Sequence, residues 1–342
     1  MRHLWLSLAA SAAVLAFGFA GRASAPEGYR VSGPFVHENL AVYFVHGKGG
    51  DGPVPLTLEE ALQKGAVRVH ETSNVNELEI ENLAAEEVFA QTGDIVKGGK
   101  QDRVITSSLV LPPRSGRVPI GSFCVEQGRW TARGAESAQQ FSSSPSAVPS
   151  RKAKIAMRAA SPTADPRLDS VASRQGEVWR SVAETQSRLS ANLGAPVAAP
   201  QSRTSLQLSL ENEKLAEARA AYVKALAAVG EKDGDIVGFA FAVNGKVNSA
   251  DVYPSNGLFR KMWQKLLMAS ATEAIGEKDG MPGTPPAKEA VLAFLDAAQS
   301  GQASVRDIDG RVRLETREAP DALYSESARA NGGWVHRNFL AR

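Results

Sequence analysis

Residues 93–130 read GDIVKGGKQDRVITSSLVLPPRSGRVPIGSFCVEQGRW. Strand-like runs rich in Val, Ile and Leu alternate with turn signals, Gly98-Gly99 and Pro112-Pro113-Arg114-Ser115-Gly116, a pattern of short antiparallel strands. Polar clusters stand at either end, Lys100-Gln101-Asp102-Arg103 and Glu126-Gln127-Gly128-Arg129-Trp130. Residues 104–111 read as one strand. In 122–126 the period of two places Ser122, Cys124 and Glu126 on one face and Phe123 and Val125 on the other, the second pair facing a core.

Outward from this stretch, β signals dominate from Tyr29 to Val125. Pro34 lacks an N–H and confines the first run to a sheet edge. Thr57 with Glu60 three residues on is a capping box opening a short helix that stops at Gly65. Residues 139–166 are rich in Ser, Pro, Ala and Arg without periodicity and read as loop. The second half is helical. Asp165-Pro166 opens a helix whose stripe is Leu168, Val171, Gln175, Val178 and Val182, with Trp179 beside it. Asn244-Gly245 between two apolar runs signals a hairpin. Ser255 caps the next helix, another covers 287–298, and strands return at 305–308, 312–317 and 334–340. Gly-Glu-Lys-Asp-Gly occurs at 230–234 and 276–280 and reads as one glycine cap used twice. The expected class is α+β, a β-rich N-terminal half packed with helices and an antiparallel hairpin. The expected domain spans 26–280, with a helix and β extension over 281–342.

Composition narrows the function. With 342 residues, 43% apolar and 22% charged, the chain can bury a large core. Residues 1–25 carry a basic start, an apolar run and Ala23-Ser24-Ala25, the plan of a secretory signal peptide, so the expected location is periplasmic or secreted. Such a leader takes with it Arg2 and Arg22, two of 39 basic residues, and none of the 37 acidic ones. The remaining chain is neutral and gives no electrostatic case for nucleic acid. No later stretch has the roughly 18 apolar residues of a membrane span.

Lys100, Arg103 and Arg129 surround two glycines whose amides can approach a ligand closely, and guanidinium groups grip phosphates and carboxylates. Gln101, Gln127 and Gln175 add amides, Glu126 a carboxylate for acid/base work, and Trp130 and Trp179 rings for stacking. The expected ligand is a small anionic or nucleotide-like molecule. The competing reading is a structural ion network, Asp102 with Arg129 and Glu126 with Arg103. Convergence on an open cleft supports the first; closure into mutual pairs supports the second. Cys124 lacks a recognisable base among His37, His46, His70 and His336 and reads as an inert buried thiol. The histidines lack metal-ligand spacing, and the Gly-Lys pair in 47–53 lacks the phosphate-loop pattern, so neither metal nor cofactor is expected.

These residues resemble a known family. Lys100-Gln101-Asp102-Arg103 with Cys124-Val125-Glu126-Gln127-Gly128-Arg129-Trp130, Gln175-Gly176-Glu177-Val178-Trp179, the run from Gly238 to Val247, and Phe259, Met262 and Trp263 look like the domain named for its association with ADP-ribosylglycohydrolases and rhodanese-phosphatases. The resemblance covers residues 31–275. Asp102 stands where the family typically has Asn. The resemblance implies no settled activity, only a link by association to ADP-ribose or NAD-derived metabolites. The function expected from residues and resemblance together is an exported pocket protein that binds a phosphate-bearing or ADP-ribose/NAD-like molecule, with hydrolysis of that molecule left open; the alternative is a non-enzymatic envelope binding or interaction module.

Overall fold

A computed structural model describes residues 28–72, 74–158, 170–308 and 310–342. The expected leader, the helix start expected at Asp165-Pro166 and Asp309 lie outside them. β1 (Arg30–His37) and β2 (Leu40–His46) form the first hairpin. β1 is an edge strand, and Pro34 falls in its register shift between Ser32 and Phe35. After β3 (Leu56–Thr57), Thr57 and Glu60 exchange both capping-box hydrogen bonds at the start of α1 (Leu58–Gln63). Next come β4 (Val67–Glu71), β5 (Glu77–Asn82), β6 (Val88–Ala90), β7 (Asp94–Gly98), β8 (Arg103–Ile105), β9 (Leu109–Leu111), β10 (Gly116–Cys124) and β11 (Phe141–Ala147).

The strand expected over 104–111 is therefore two strands in different sheets. β8 lies in a six-stranded sheet of order β11-β7-β8-β10-β5-β4, and β9 in a three-stranded one of order β3-β6-β9. Side chains break the run: Ser108 Oγ accepts from Thr92 N–H and Thr92 Oγ1 donates to Thr106 O. Much of 139–166, read as loop, is structured. It holds β11 and then α2 (Arg151–Met157), capped by Ser150. β11 pairs with β7, and Ser144 and Ser146 are buried in it, which composition alone does not announce.

α3 (Val171–Leu193) is capped by Ser170 and ends at Gly194 in the left-handed region. α4 (Leu206–Leu210) and α5 (Glu213–Leu226) follow. Gly230 is not a left-handed cap. It sits in a 3-10 turn (Ala227–Glu231), and a Cβ there would lie 2.4 Å from Cε2 of Trp263. β12 (Ile236–Val243) and β13 (Lys246–Val252) are joined by Asn244 and Gly245, with φ of 50° and 77°, the turn whose twist matches that of a hairpin. Ser255 caps α6 (Asn256–Gly276); α7 (Lys288–Gln299), β14 (Gln302–Ile308), β15 (Val312–Glu318), β16 (Ala322–Arg329) and β17 (Trp334–Ala341) complete the chain.

The fold is α+β. Its largest sheet is antiparallel with order β1-β2-β12-β13-β17-β16-β15-β14, so residues 281–342, expected as an extension, supply half its strands. One face packs α7 through Val291, Leu295 and Ala298 against Tyr43, Ala240 and Phe339. The other buries Phe44, Phe239 and Phe241 with Trp263 of α6 and Val178 of α3. Phe123 and Val125 join this second core, as the period-two pattern requires. A third core lies under α1 and the smaller sheets.

Candidate functional site

The polar clusters do meet. Gly98 and Gly99 take positive φ and turn the chain between β7 and β8, which brings residues 100–103 beside 126–129. They meet as a closed ion network. Asp102 and Glu126 are completely buried. Asp102 accepts from Gly98 N–H at 3.0 Å, Ser205 Oγ at 2.8 Å and both terminal nitrogens of Arg133 at 2.9 and 3.2 Å. Glu126 accepts from Asp102 N–H and pairs with Arg129 at 2.7 Å and Arg133 at 3.4 Å. The pairing differs from expectation. Arg129 favours Glu126 and approaches Asp102 only to 3.7 Å, while Arg133 takes Asp102. Arg133 lies in a stretch with no strand or helix pattern, and its role was invisible in the sequence.

Arg103 does not reach Glu126. It is fully buried, donates to Gln101 O at 3.0 Å, lies 3.6 Å from Glu71 and stacks on Trp130, which Lys100 also covers. Trp130 therefore carries two cations of its own chain. Burial pushes the Glu126 carboxyl up, but Arg129, Ser202 and the Asp102 N–H outweigh it and hold the group below the ordinary range. A carboxylate so held is the wrong group for an acid and has no oxygen to spare as a base. The expected acid/base role for Glu126 thus finds no geometry.

Gln175 is a clamp: its amide donates to Cys124 O and accepts from Cys124 N–H, both at 2.9 Å, fixing the end of β10 to α3. Burial pushes the Cys124 thiol up, which suits an inert group. Gln127 is exposed, with its backbone clasped by Thr204. Gln127 and Arg129 border only an open surface depression between residues 127–136 and 201–208. Trp179 is half-buried on α3, and its Nε1 has no hydrogen-bond partner among the described residues.

The enclosed space lies elsewhere. A cavity of about 460 Å³ opens between the large sheet, β10, α2, α3 and α6, within the roughly 300–1,000 Å³ of small-molecule sites. None of the nine residues expected at a site lines it. Its floor follows from strand periodicity. The cross-strand row Phe239, Asp251, Asn338, Ser325 and Thr316 runs over five neighbouring strands, so the sheet face that is aromatic on β12 turns polar from β13 onward. Residues 336 and 338 alternate with Arg337 and Phe339 along β17, giving a polar stripe legible in principle as buried polar positions opposite an apolar face.

His336 is the centre of this floor. Its Nε2 lies 3.0 Å from Asp251 Oδ1 and its Nδ1 2.9 Å from Ser108 Oγ, with Tyr253 stacked on the ring at 5.2 Å. Burial raises the Asp251 carboxyl, but His336, Lys154 and Asn338 outweigh it and its pKa is lowered, so Asp251 is a carboxylate. In the tautomer with the ring proton on Nε2, toward Asp251, the Nδ1 lone pair faces Ser108. Ser108 Oγ already accepts from Thr92 N–H, and in that tautomer its own hydrogen is the one donated to Nδ1. Four cations line the walls, Lys154, Arg158, Arg174 and Arg306. Arg158 donates to Asn338 Oδ1, and burial pushes it down to about 10. Arg306 lies on the exposed β14. Lys154 is half-buried; its side chain makes no hydrogen bond or close ion pair among the described residues, but its charge acts on the buried carboxyls of Asp251 and Glu273.

The described residues contain no group of three or more His, Cys, Asp or Glu placed to hold a metal ion, and no described helix is long and apolar enough to cross a membrane. Neither the curated proteins nor the solved structures contain a match to this chain. A family profile matches residues 28–340, running past the 31–275 that carried the resemblance and through β17. On this match over nearly its whole length, the chain belongs to the ARG and Rhodanese-Phosphatase-superfamily-associated Protein domain family.

Proposed function

We propose that the protein binds a phosphate-bearing small molecule of the ADP-ribose or NAD-derived kind in the central cavity, and that it does so outside the cytoplasm. The observation that carries the reading is Lys154. Its ammonium lines the 460 Å³ cavity with no side-chain hydrogen bond or close ion pair among the described residues, only the fields of Asp251 and Glu273 acting on it, so its N–H donors are open to phosphate oxygens. Ser122 supports it, since its buried hydroxyl lines the cavity and has no hydrogen-bond partner among the described residues. The family name links these domains to ADP-ribosylglycohydrolases, and ADP-ribose supplies both phosphates and hydroxyls. The location rests on the leader-like residues 1–25. The ion network around Asp102 and Glu126 is architecture, the part of the interaction-module alternative that the geometry favours.

The test is calorimetric titration of the purified protein with ADP-ribose, NAD and inorganic phosphate. ADP-ribose is expected to bind, and Lys154→Ala to weaken it by about 10- to 100-fold, the range for one charge-assisted hydrogen bond. Lys100→Ala, at the Trp130 stack, leaves the affinity unchanged. Affinity lost in Lys100→Ala and kept in Lys154→Ala would return the site to the ion network. The absence of heat with all three ligands would leave the interaction module.

A further inference from the structure

We infer that Ser108, His336 and Asp251 form a nucleophile, base and orienting carboxylate, and that the cavity hydrolyses a carboxylic ester of its anionic ligand. The inference rests on the cavity reading above for the ligand and on hydrogen-bond arithmetic for the chemistry. A covalent serine needs a base within hydrogen-bond reach and a third group that fixes the base's tautomer. Ser108 Oγ lies 2.9 Å from Nδ1 and Asp251 Oδ1 lies 3.0 Å from Nε2. The imidazole is used with its nitrogens exchanged relative to the usual serine hydrolase arrangement, but the relay is the same.

The chain of bonds runs in one direction. Asn338 Nδ2 donates to Asp251 at 2.9 Å, which orients the carboxylate. Tyr253 and Phe89 pack against the ring and hold its plane. Thr92 N–H donates to Ser108 Oγ and stabilises charge as the hydroxyl proton leaves. All three members of the relay line the cavity. So do Ser122, with its unpartnered hydroxyl, and Lys154, which are donors for an oxygen that becomes negative. A purely structural network has no need to end at the wall of a cavity with unused donors.

The step balances without a further reactant except water. Ser108 Oγ bonds to the ester carbonyl carbon as its proton passes to His336 Nδ1, and the carbonyl electron pair moves onto oxygen. Collapse breaks the bond to the alcohol oxygen, which takes the proton from Nδ1 and leaves as the alcohol. Water then gives a proton to Nδ1 and attacks the acyl carbon; the acid departs, and Ser108 Oγ recovers the proton. Asp251 stays ionised throughout and faces the imidazolium that forms twice per turnover. Asp251 is a positioning residue; Ser108 and His336 are the catalytic ones.

The experiment uses the full chain and p-nitrophenyl acetate, followed by nitrophenolate release and by peptide mass mapping. One equivalent of nitrophenolate in a burst and one acetyl group on the Ser108 peptide are expected. Ser108→Ala removes both. His336→Gln slows acylation by about 10³- to 10⁴-fold, and Asp251→Asn shifts the pH profile of acylation, which a merely structural carboxylate would not do. Circular dichroism and ADP-ribose titration of each variant report that the fold and cavity persist; Ser122→Ala, which removes no hydrogen bond, slows acylation by about 10²-fold with the fold unchanged. A wild-type protein that binds ADP-ribose but shows no acetyl group on Ser108 overturns the inference and leaves the cavity reading standing. An acetylated Ser108 in a protein that binds none of the phosphate ligands does the reverse. A burst that survives Ser108→Ala also overturns it.

Discussion

Asp102 is the residue on which the Gly93–Trp130 region closes. Its two oxygens take donors from Gly98, Ser205 and Arg133, and no water competes because the side chain is fully buried. Removing one member of such a buried set leaves the opposite charge uncompensated, which costs far more than the pair is worth against apolar residues. Asp102→Asn turns an NH₂ toward Arg133 or Ser205 and is expected to destabilise the protein by about 3–5 kcal/mol, read as a lower urea midpoint at constant slope. Glu126 titrates in the same network. Folding lowers its pKa, so its contribution is present above the unfolded glutamate value of about 4.3 and is lost as pH falls through the folded value. Glu126→Gln should therefore be less stable at pH 7 yet lose stability less steeply than the native protein on acidification below about pH 4, as followed by thermal melts across pH. The sequence showed that these polar residues belong together. It did not show their partners, because Arg133 and Ser205 arrive from segments without periodicity and only the folded path sets them against Asp102.

At the scale of elements, the legible features were those encoded by neighbours in sequence. Thr57 with Glu60, Asn244 with Gly245, and Ser255 before α6 each form as their spacing requires. The break between β8 and β9 was hidden because 104–111 has uniform β propensity, while the decision is made by Thr92 and Gly121 hydrogen-bonding to 106–108. Gly230 shows the same limit: it was read as a cap, yet its need for hydrogen in place of a Cβ comes from Trp263, 33 positions away in α6. Gly230→Ala must push the indole off Phe44 and Phe239, its neighbours at 5.2 and 5.7 Å, and is expected to cost about 1–3 kcal/mol. Denaturant unfolding with the shift in Trp fluorescence would register both the loss and its place. An unchanged midpoint would mean that the 3-10 turn yields instead.

For the whole molecule, the large sheet joins the two ends of the chain. β2 pairs with β12, and β13 pairs with β17, so neither the first half nor the last sixty residues completes a core alone. Truncation after Met281 removes Val291, Leu295, Phe339 and Tyr324 from one core and bares the edge of β13, an invitation to association. Loss of cooperative melting and elution as aggregate are expected; a monomer with a sharp melt would show that residues 282–342 are dispensable. The position of β17 also has a consequence in time. β17 follows β13, β14, β15 and β16 in the chain, yet it lies not at the rim of the sheet but between β13 and β16. Chains emerge N-terminus first at roughly 5–20 residues per second, and until β17 has emerged the sheet is two unjoined pieces and His336 is not yet seated between Ser108 and Asp251. The floor of the cavity therefore closes only after the strands on both sides of β17 have been made, and a chain that lacks β17 is incomplete at its centre rather than at its margin.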